Sequence, residues 1–273
     1  MALLQAGVRG GRRGSRRRRT TGPYAEHRPN SKQCSIFVRR TMVLMTSPKE
    51  GASRRARHRA QTTAEIKATA LKHLVEGGTD AVALRGIARD MGMAPGTFYS
   101  YFDTREALLA ALAADAYRAL AAHLRTAREG AREPAGRALA HGLAYRAWAL
   151  AHPQEFRLLF SGRSPHAQTR DSTEAEYELC LGIVEIATTE GAADTASPYS
   201  WGDFDPAFTE VARAAFPALT PAVLARSLRL WGRLHGLVTL EIDGLLRPQI
   251  TDPERLYRDE LADITAWLNG SGL

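Results

Sequence analysis

The sequence predicts an all-α protein: a short helix-turn-helix head followed by a larger helical bundle. Three observations predict it. Apolar residues recur at three- and four-residue spacing through most of the chain from Thr62 to Leu268. Glycines and prolines punctuate that pattern where helices would stop and start. No β-rich run competes with it.

The bulk numbers set limits. The chain has 273 residues, 44% of them hydrophobic, enough for one large or two modest domains. Its uninterrupted apolar runs fall well short of membrane-spanning length, so no transmembrane segment is expected. Cys34 and Cys180 are its two cysteines, and neither has a ligand-spaced partner, so no disulfide framework, metal site or cofactor is expected. Charge is unevenly placed. Residues 1–60 hold 16 Lys/Arg against 2 Asp/Glu, whereas the remainder holds 21 against 27. That asymmetry points to a polyanionic partner at the N-terminal end.

Three segments are expected: a disordered basic tail at 1–53, a head at 54–105 and a helical body at 106–273. The tail is rich in Arg, Gly and Ser, includes Arg16-Arg17-Arg18-Arg19, and shows no helical or strand period. It lacks the apolar stretch of a secretory signal. Met45-Thr46-Ser47-Pro48 reads as an alternative start, as does Met42, which would leave residues 1–44 upstream of the natural protein.

In the head, Arg54, Arg55, Arg57, His58 and Arg59 form a compact basic stretch. It is either a solvated flank or an arm that neutralises phosphates or enters a minor groove. A first helix is expected from about Thr62 to Glu76, with Ile66, Ala70 and Leu74 on one face and Gly77-Gly78 as its stop. A second runs from about Leu84 to Met91, with Leu84, Ile87, Ala88 and Met91 inward. Gly92 permits a tight turn. A third runs from about Pro95 to Phe102, with Phe98 and Phe102 inward and Thr97, Tyr99, Ser100 and Tyr101 wholly or partly outward. A helix, a three-residue turn and a short second helix is the arrangement that lays the second helix in a DNA major groove. Asp103-Thr104-Arg105-Glu106 reads as a capping box opening a long helix to about Glu129. By chemistry, Thr97 and Tyr99 can meet base edges, while Tyr101 and Arg105 lie where a phosphate could be held.

The run Ile87-Ala88-Arg89-Asp90-Met91-Gly92-Met93-Ala94-Pro95-Gly96-Thr97-Phe98-Tyr99-Ser100-Tyr101-Phe102, followed by Arg105-Glu106-Ala107-Leu108-Leu109, closely resembles the head of the TetR family of transcriptional regulators. The resemblance covers about residues 62–109. It implies a homodimeric regulator, usually a repressor, released from DNA when a ligand binds the body. It supports Thr97, Tyr99, Tyr101 and Arg105 as DNA contacts and adds Arg85 as a backbone contact; Ser100, outward beside them, is a further DNA-binding candidate. Ala83 and Ala94 depart from the pattern, standing where the family commonly has Ser or Thr caps. Such a loss costs about 0.5–2 kcal/mol each.

The body reads as successive helices: about 134–151, a short one opened by Pro153, about 169–190, 206–215, 221–246 and 253–268. A loop is expected at 161–168 and an irregular segment at 191–205. His141, His152, His166 and His235 have no spacing for a metal or an acid–base pair and read as core or surface residues. Trp231-Gly232-Arg233-Leu234-His235-Gly236, with Tyr145 to Phe160, is similar to a branch of the same family marked by Trp and His-Gly in its body. A ligand site is expected between body helices, its candidates Tyr145, Trp148, Phe156, Phe160, Trp231 and His235, each taken singly reading more readily as core than as ligand wall. The last two helices are expected to form a two-fold interface through Leu224, Leu228, Trp231, Leu256, Ile264 and Leu268. Gly232 and Gly236 would allow close packing. The resulting expectation is a cytoplasmic, ligand-responsive repressor. Its partners would be a palindromic double-stranded operator, a second copy of itself and a mostly apolar small molecule, with no membrane. An activator or a helical protein-interaction module is the alternative, and an enzyme is least expected because no catalytic set emerges.

Overall fold

The structure, a computed structural model, describes residues 53–160, 169–189 and 197–268. The basic tail with Cys34, and the loop expected at 161–168, lie outside them. The described residues form ten α-helices and no strand.

Helix α1 (Arg54–Ala81) begins eight residues earlier than periodicity indicates, so the basic stretch is helical. Ser53 caps it, its hydroxyl accepting from the Ala56 amide at 3.2 Å. Residues such as Arg, Ala and Gln then favour helix without any apolar face to announce it. Gly77 and Gly78 break the regular backbone as expected, Gly78 with φ 69°. Helices α2 (Leu84–Asp90) and α3 (Pro95–Tyr99) follow across a turn in which Gly92 adopts φ 63°. Neither Ala83 nor Ala94 gives a side-chain cap. Helix α3 is shorter than expected, yet Phe102 still turns inward beyond its end.

Helix α4 (Arg105–Gly130) is capped by Thr104, whose hydroxyl accepts from the Ala107 amide at 3.0 Å; Asp103 is therefore not the cap. By length and composition alone α4 is long and apolar enough to cross a membrane, but half of its most apolar stretch is buried inside the protein, as in a core helix. Leu108 and Leu112 join Ile66, Leu74, Ile87 and Phe98 in the head core. That core thus continues past the expected boundary at 105. Tyr117, Leu120 and Leu124 belong to the body core.

In the body, α4 packs most extensively against α7 (Arg170–Thr189) and α5 (Pro134–Ala151). Helix α6 (Pro153–Phe160) lies between head and body: Leu158 packs on the head core, while Phe156 and Leu159 are buried in the body's. A 3₁₀ turn (Trp201–Asp203), α8 (Pro206–Ala215), α9 (Pro221–Ile242) and α10 (Pro253–Leu268) complete the fold. Helix α10 sits against α5, where Gly142 leaves room for Leu261; a Cβ at Gly142 would overlap the leucine's Cδ2. The Tyr257 hydroxyl donates to the Gly142 carbonyl at 3.1 Å. Arg146 of α5 grips Glu241 of α9 with two hydrogen bonds, 2.8 and 2.6 Å, both side chains mostly buried.

This packing corrects part of the expected interface. Leu224, Ile264 and Leu268 are buried within the subunit's own cores and Leu256 is half-buried, whereas Leu228 and Trp231 are exposed. Helical periodicity marks an apolar side but not whether the subunit itself has already covered it. Gly232 and Gly236 likewise approach nothing among the described residues: a Cβ at either would have no neighbour there within 4 Å.

Candidate functional site

Two places in the structure carry chemistry: the outer edge of the head and a cavity in the body. At the head, buried Phe98 anchors α3, and the residues on either side of it, Thr97 and Tyr99, are exposed together with Ser100. The Ser100 hydroxyl donates to the Thr97 carbonyl at 2.7 Å, closing the last turn. Arg54, Arg55 and Arg57 are exposed on the first turns of α1, and Arg85 is exposed on α2.

Two predicted residues are occupied otherwise. Arg105 donates from Nε to the Val82 carbonyl at 3.0 Å and from Nη2 to the Thr79 carbonyl at 2.5 Å, so it ties the end of α1 to α4. Tyr101 is half-buried beneath Arg59, whose guanidinium lies 4.7 Å from the ring centroid and donates to the Ser100 carbonyl at 2.8 Å. Arg59 therefore pins the basic first turns of α1 to the end of α3, a positioning contact that its place in a charge run did not signal. Similarly, His73 of α1 meets Asp90 of α2 at 2.7 Å through Nε2.

The body cavity measures about 610 Å³. Tyr145, Phe160, Trp231 and His235 line it; Trp148 and Phe156 do not. Trp148 instead stacks on His152 with centroids 4.9 Å apart, and Phe156 backs the wall by stacking on His235 at 5.4 Å. Phe160 meets His235 edge-on at 4.7 Å, and Trp231 lies 5.3 Å from the same ring. His235 Nδ1 is 2.8 Å from the Tyr145 hydroxyl, and burial pulls its pKa down, so it stays uncharged near neutrality. Burial pushes the Tyr145 phenol well up.

Sequence reasoning missed much of the opposite wall. Tyr177, Cys180 and Val184 come from α7, and Phe204 and Phe208 from the segment around α8. His141, read as core or surface, also lines the cavity while being 1% exposed. Among the described residues, no three His, Cys, Asp or Glu side chains gather to hold a metal.

Comparison with known proteins covers both regions. The model of bacterial regulatory proteins of the tetR family matches residues 66–112, and that of the tetracyclin repressor-like C-terminal domain matches residues 138–264. The HTH-type transcriptional regulator Rv1816 of Mycobacterium tuberculosis is 29% identical over 208 residues, 71% of this chain and 87% of its own. Among solved structures, the regulatory protein SCO4313 is 33% identical with a TM-score of 0.60, over 80% of this chain and 98% of that one. A protein from Rhodococcus sp. RHA1, 23% identical with a TM-score of 0.54, shares the fold over 76% of this chain and 93% of its own.

Proposed function

Because the chain belongs to the TetR family of bacterial regulatory proteins and is a DNA-binding transcriptional regulator, we propose that it is a repressor whose dimer leaves a palindromic operator when a small molecule enters the body cavity. The reading places it in the cytoplasm and gives it no enzymatic activity. The head comprises 54–105 with the first turns of α4, and the rest of the described chain holds the effector and the partner subunit.

One observation carries the DNA assignment: Thr97, Tyr99 and Ser100 stand exposed on a short helix whose other side is locked by Phe98. A helix fixed from behind and polar in front is suited to reading base edges in a major groove. Thr97 offers a hydroxyl and a methyl, Tyr99 a ring and a hydroxyl. Arg54, Arg55, Arg57 and Arg85 are assigned to phosphates, being exposed cations beside that edge. Tyr101 and Arg105 are assigned to positioning, because their contacts lie within the head.

The test is duplex retardation with cognate and point-mutated operators. Thr97→Ala is expected to reduce the preference for the cognate site by about 1–3 kcal/mol. Equal weakening on every sequence would reassign Thr97 to backbone contact. Replacing Arg54, Arg55 and Arg57 together is expected to flatten the slope of log K against log salt by about 2.7 on cognate and random DNA alike, about 0.9 per lost phosphate contact. An unchanged slope on both would remove the three arginines from the interface.

The dimer is assigned to the outer face of α9. Leu228, Trp231 and Leu240 are exposed there, and Gly232 and Gly236 leave the backbone open to close approach. An exposed apolar face flanked by open backbone suits the same face of a second copy.

A further inference from the structure

The body contains a buried polar group unrelated to DNA. Arg128 of α4 donates from Nη2 to Glu185 of α7 at 2.9 Å, and its Nη1 lies 3.1 Å from Nδ1 of His141 on α5. Gly182 makes room for the guanidinium: a Cβ there would stand 3.0 Å from Nη1. A guanidinium only donates, so His141 Nδ1 must accept and the imidazole proton must reside on Nε2. Burial, reinforced by the adjacent Arg128 charge, lowers the His141 pKa to about 3, so the ring remains neutral across the range in which regulators work. Its Nε2–H is buried and meets no partner among the described residues, an expensive condition for a donor. His141 is part of the cavity wall.

We propose that the cavity takes a mostly apolar molecule bearing an uncharged hydrogen-bond acceptor, a ketone or ester carbonyl, to which His141 Nε2–H donates. This rests on reading the cavity as the effector site. The wall supplies the rest of the selection. Phe160, Trp231 and Phe208 offer apolar and aromatic surface. Glu176, Asp203 and Asp205 line the cavity, and among the described lining residues there is no Lys or Arg, so an anion is disfavoured. Glu185 already balances the Arg128 charge. A cation is not favoured by the two aspartates, which act as local caps: Asp203 accepts from the Ser200 amide at 2.8 Å and hydroxyl at 2.9 Å, and Asp205 from the Phe208 amide at 2.9 Å.

Four probes of one skeleton separate these possibilities by titration calorimetry on the full chain. They are 2-acetylnaphthalene, 2-ethylnaphthalene in which the carbonyl is replaced by a methylene, 2-naphthoate and 2-naphthylmethylamine. The native protein is expected to prefer 2-acetylnaphthalene to both charged probes. His141→Leu is expected to weaken 2-acetylnaphthalene about tenfold, equivalent to about 1.4 kcal/mol, and to leave 2-ethylnaphthalene unchanged. That unchanged affinity doubles as the check that the cavity still folds. His141→Asn, whose amide can accept from Arg128 and still donate, is expected to retain the ketone. Equal weakening of the ketone and its apolar analogue by His141→Leu would overturn the assignment, as would a native preference for the naphthoate or the amine. Failure of all four probes to bind a protein that still retards operator DNA would also overturn it, while leaving the DNA-binding reading intact. Loss of DNA retardation in the native chain would instead strike that reading.

Discussion

Phe98→Ala is expected to abolish operator binding while the body stays folded. Phe98 is 1% exposed and packs among Ile66, Ile87 and Leu108 in the head core. Removing a buried phenylalanine ring costs about 3–5 kcal/mol, and the head's core is small. Its two DNA-proximal helices, α2 and α3, also start without side-chain caps at Ala83 and Ala94, so little local stability resists the loss. With α3 no longer seated, Thr97 and Tyr99 lose their common orientation. All four tryptophans, at 148, 201, 231 and 267, lie in the body. Tryptophan fluorescence therefore follows the body's unfolding, while gel retardation follows the head. Retardation within a few-fold of the native protein would show that Phe98 does not anchor the reading helix.

Leu228→Glu is expected to turn the proposed dimer into a monomer. Leu228 is 48% exposed on α9, at the rim of the cavity it helps to line. Fully burying a leucine contributes about 1.5–3 kcal/mol; about half of that is left to gain at a side chain already half-covered, and a two-fold interface counts each change twice. The dimer dissociation constant should therefore rise by roughly 10–10²-fold, since every 1.4 kcal/mol is about tenfold. Sedimentation across a concentration series measures it directly. A second readout is palindrome binding, which should fall to that of a single half-site. A dimer of unchanged affinity would move the interface away from this face. Ile264→Glu is a poor substitute, because Ile264 is fully buried within the subunit and its change would disrupt the fold itself.

The boundaries of most helices were legible because they are marked locally. Prolines open α3, α5, α6, α8, α9 and α10; the caps were less legible, since Thr104, Asp205 and Thr220 each accept from an amide three residues on but the first was read one residue early, at Asp103. The early start of α1 was hidden, since a helix without an apolar face gives no period to detect. The cavity was half legible. Its aromatic end at Phe160, Trp231 and His235 shows as large residues in short motifs. Its other wall at Tyr177, Cys180 and Phe208 depends on α7 and α8 meeting α9, which no local pattern encodes. The pairing of Arg128 with His141 and Glu185 joins three helices and was invisible for the same reason. The expected interface failed at Leu224, Ile264 and Leu268 because a spacing rule cannot tell a helix's inner side from its outer one.

The continuity of α4 has a mechanical consequence. Its 26 residues make a rod about 39 Å long at about 1.5 Å per residue. One end is clamped in the body by Tyr117, Leu120 and Leu124, and the other by Leu108 and Leu112 in the head. A tilt of about 5° around its far end carries the head through about 3 Å, roughly the length of one hydrogen bond. Small repacking around Tyr117 and Leu124, which both face the cavity, is thereby magnified at the reading edge. The same leverage acts in reverse: a head held in register on DNA stiffens the walls against any molecule that needs them to part.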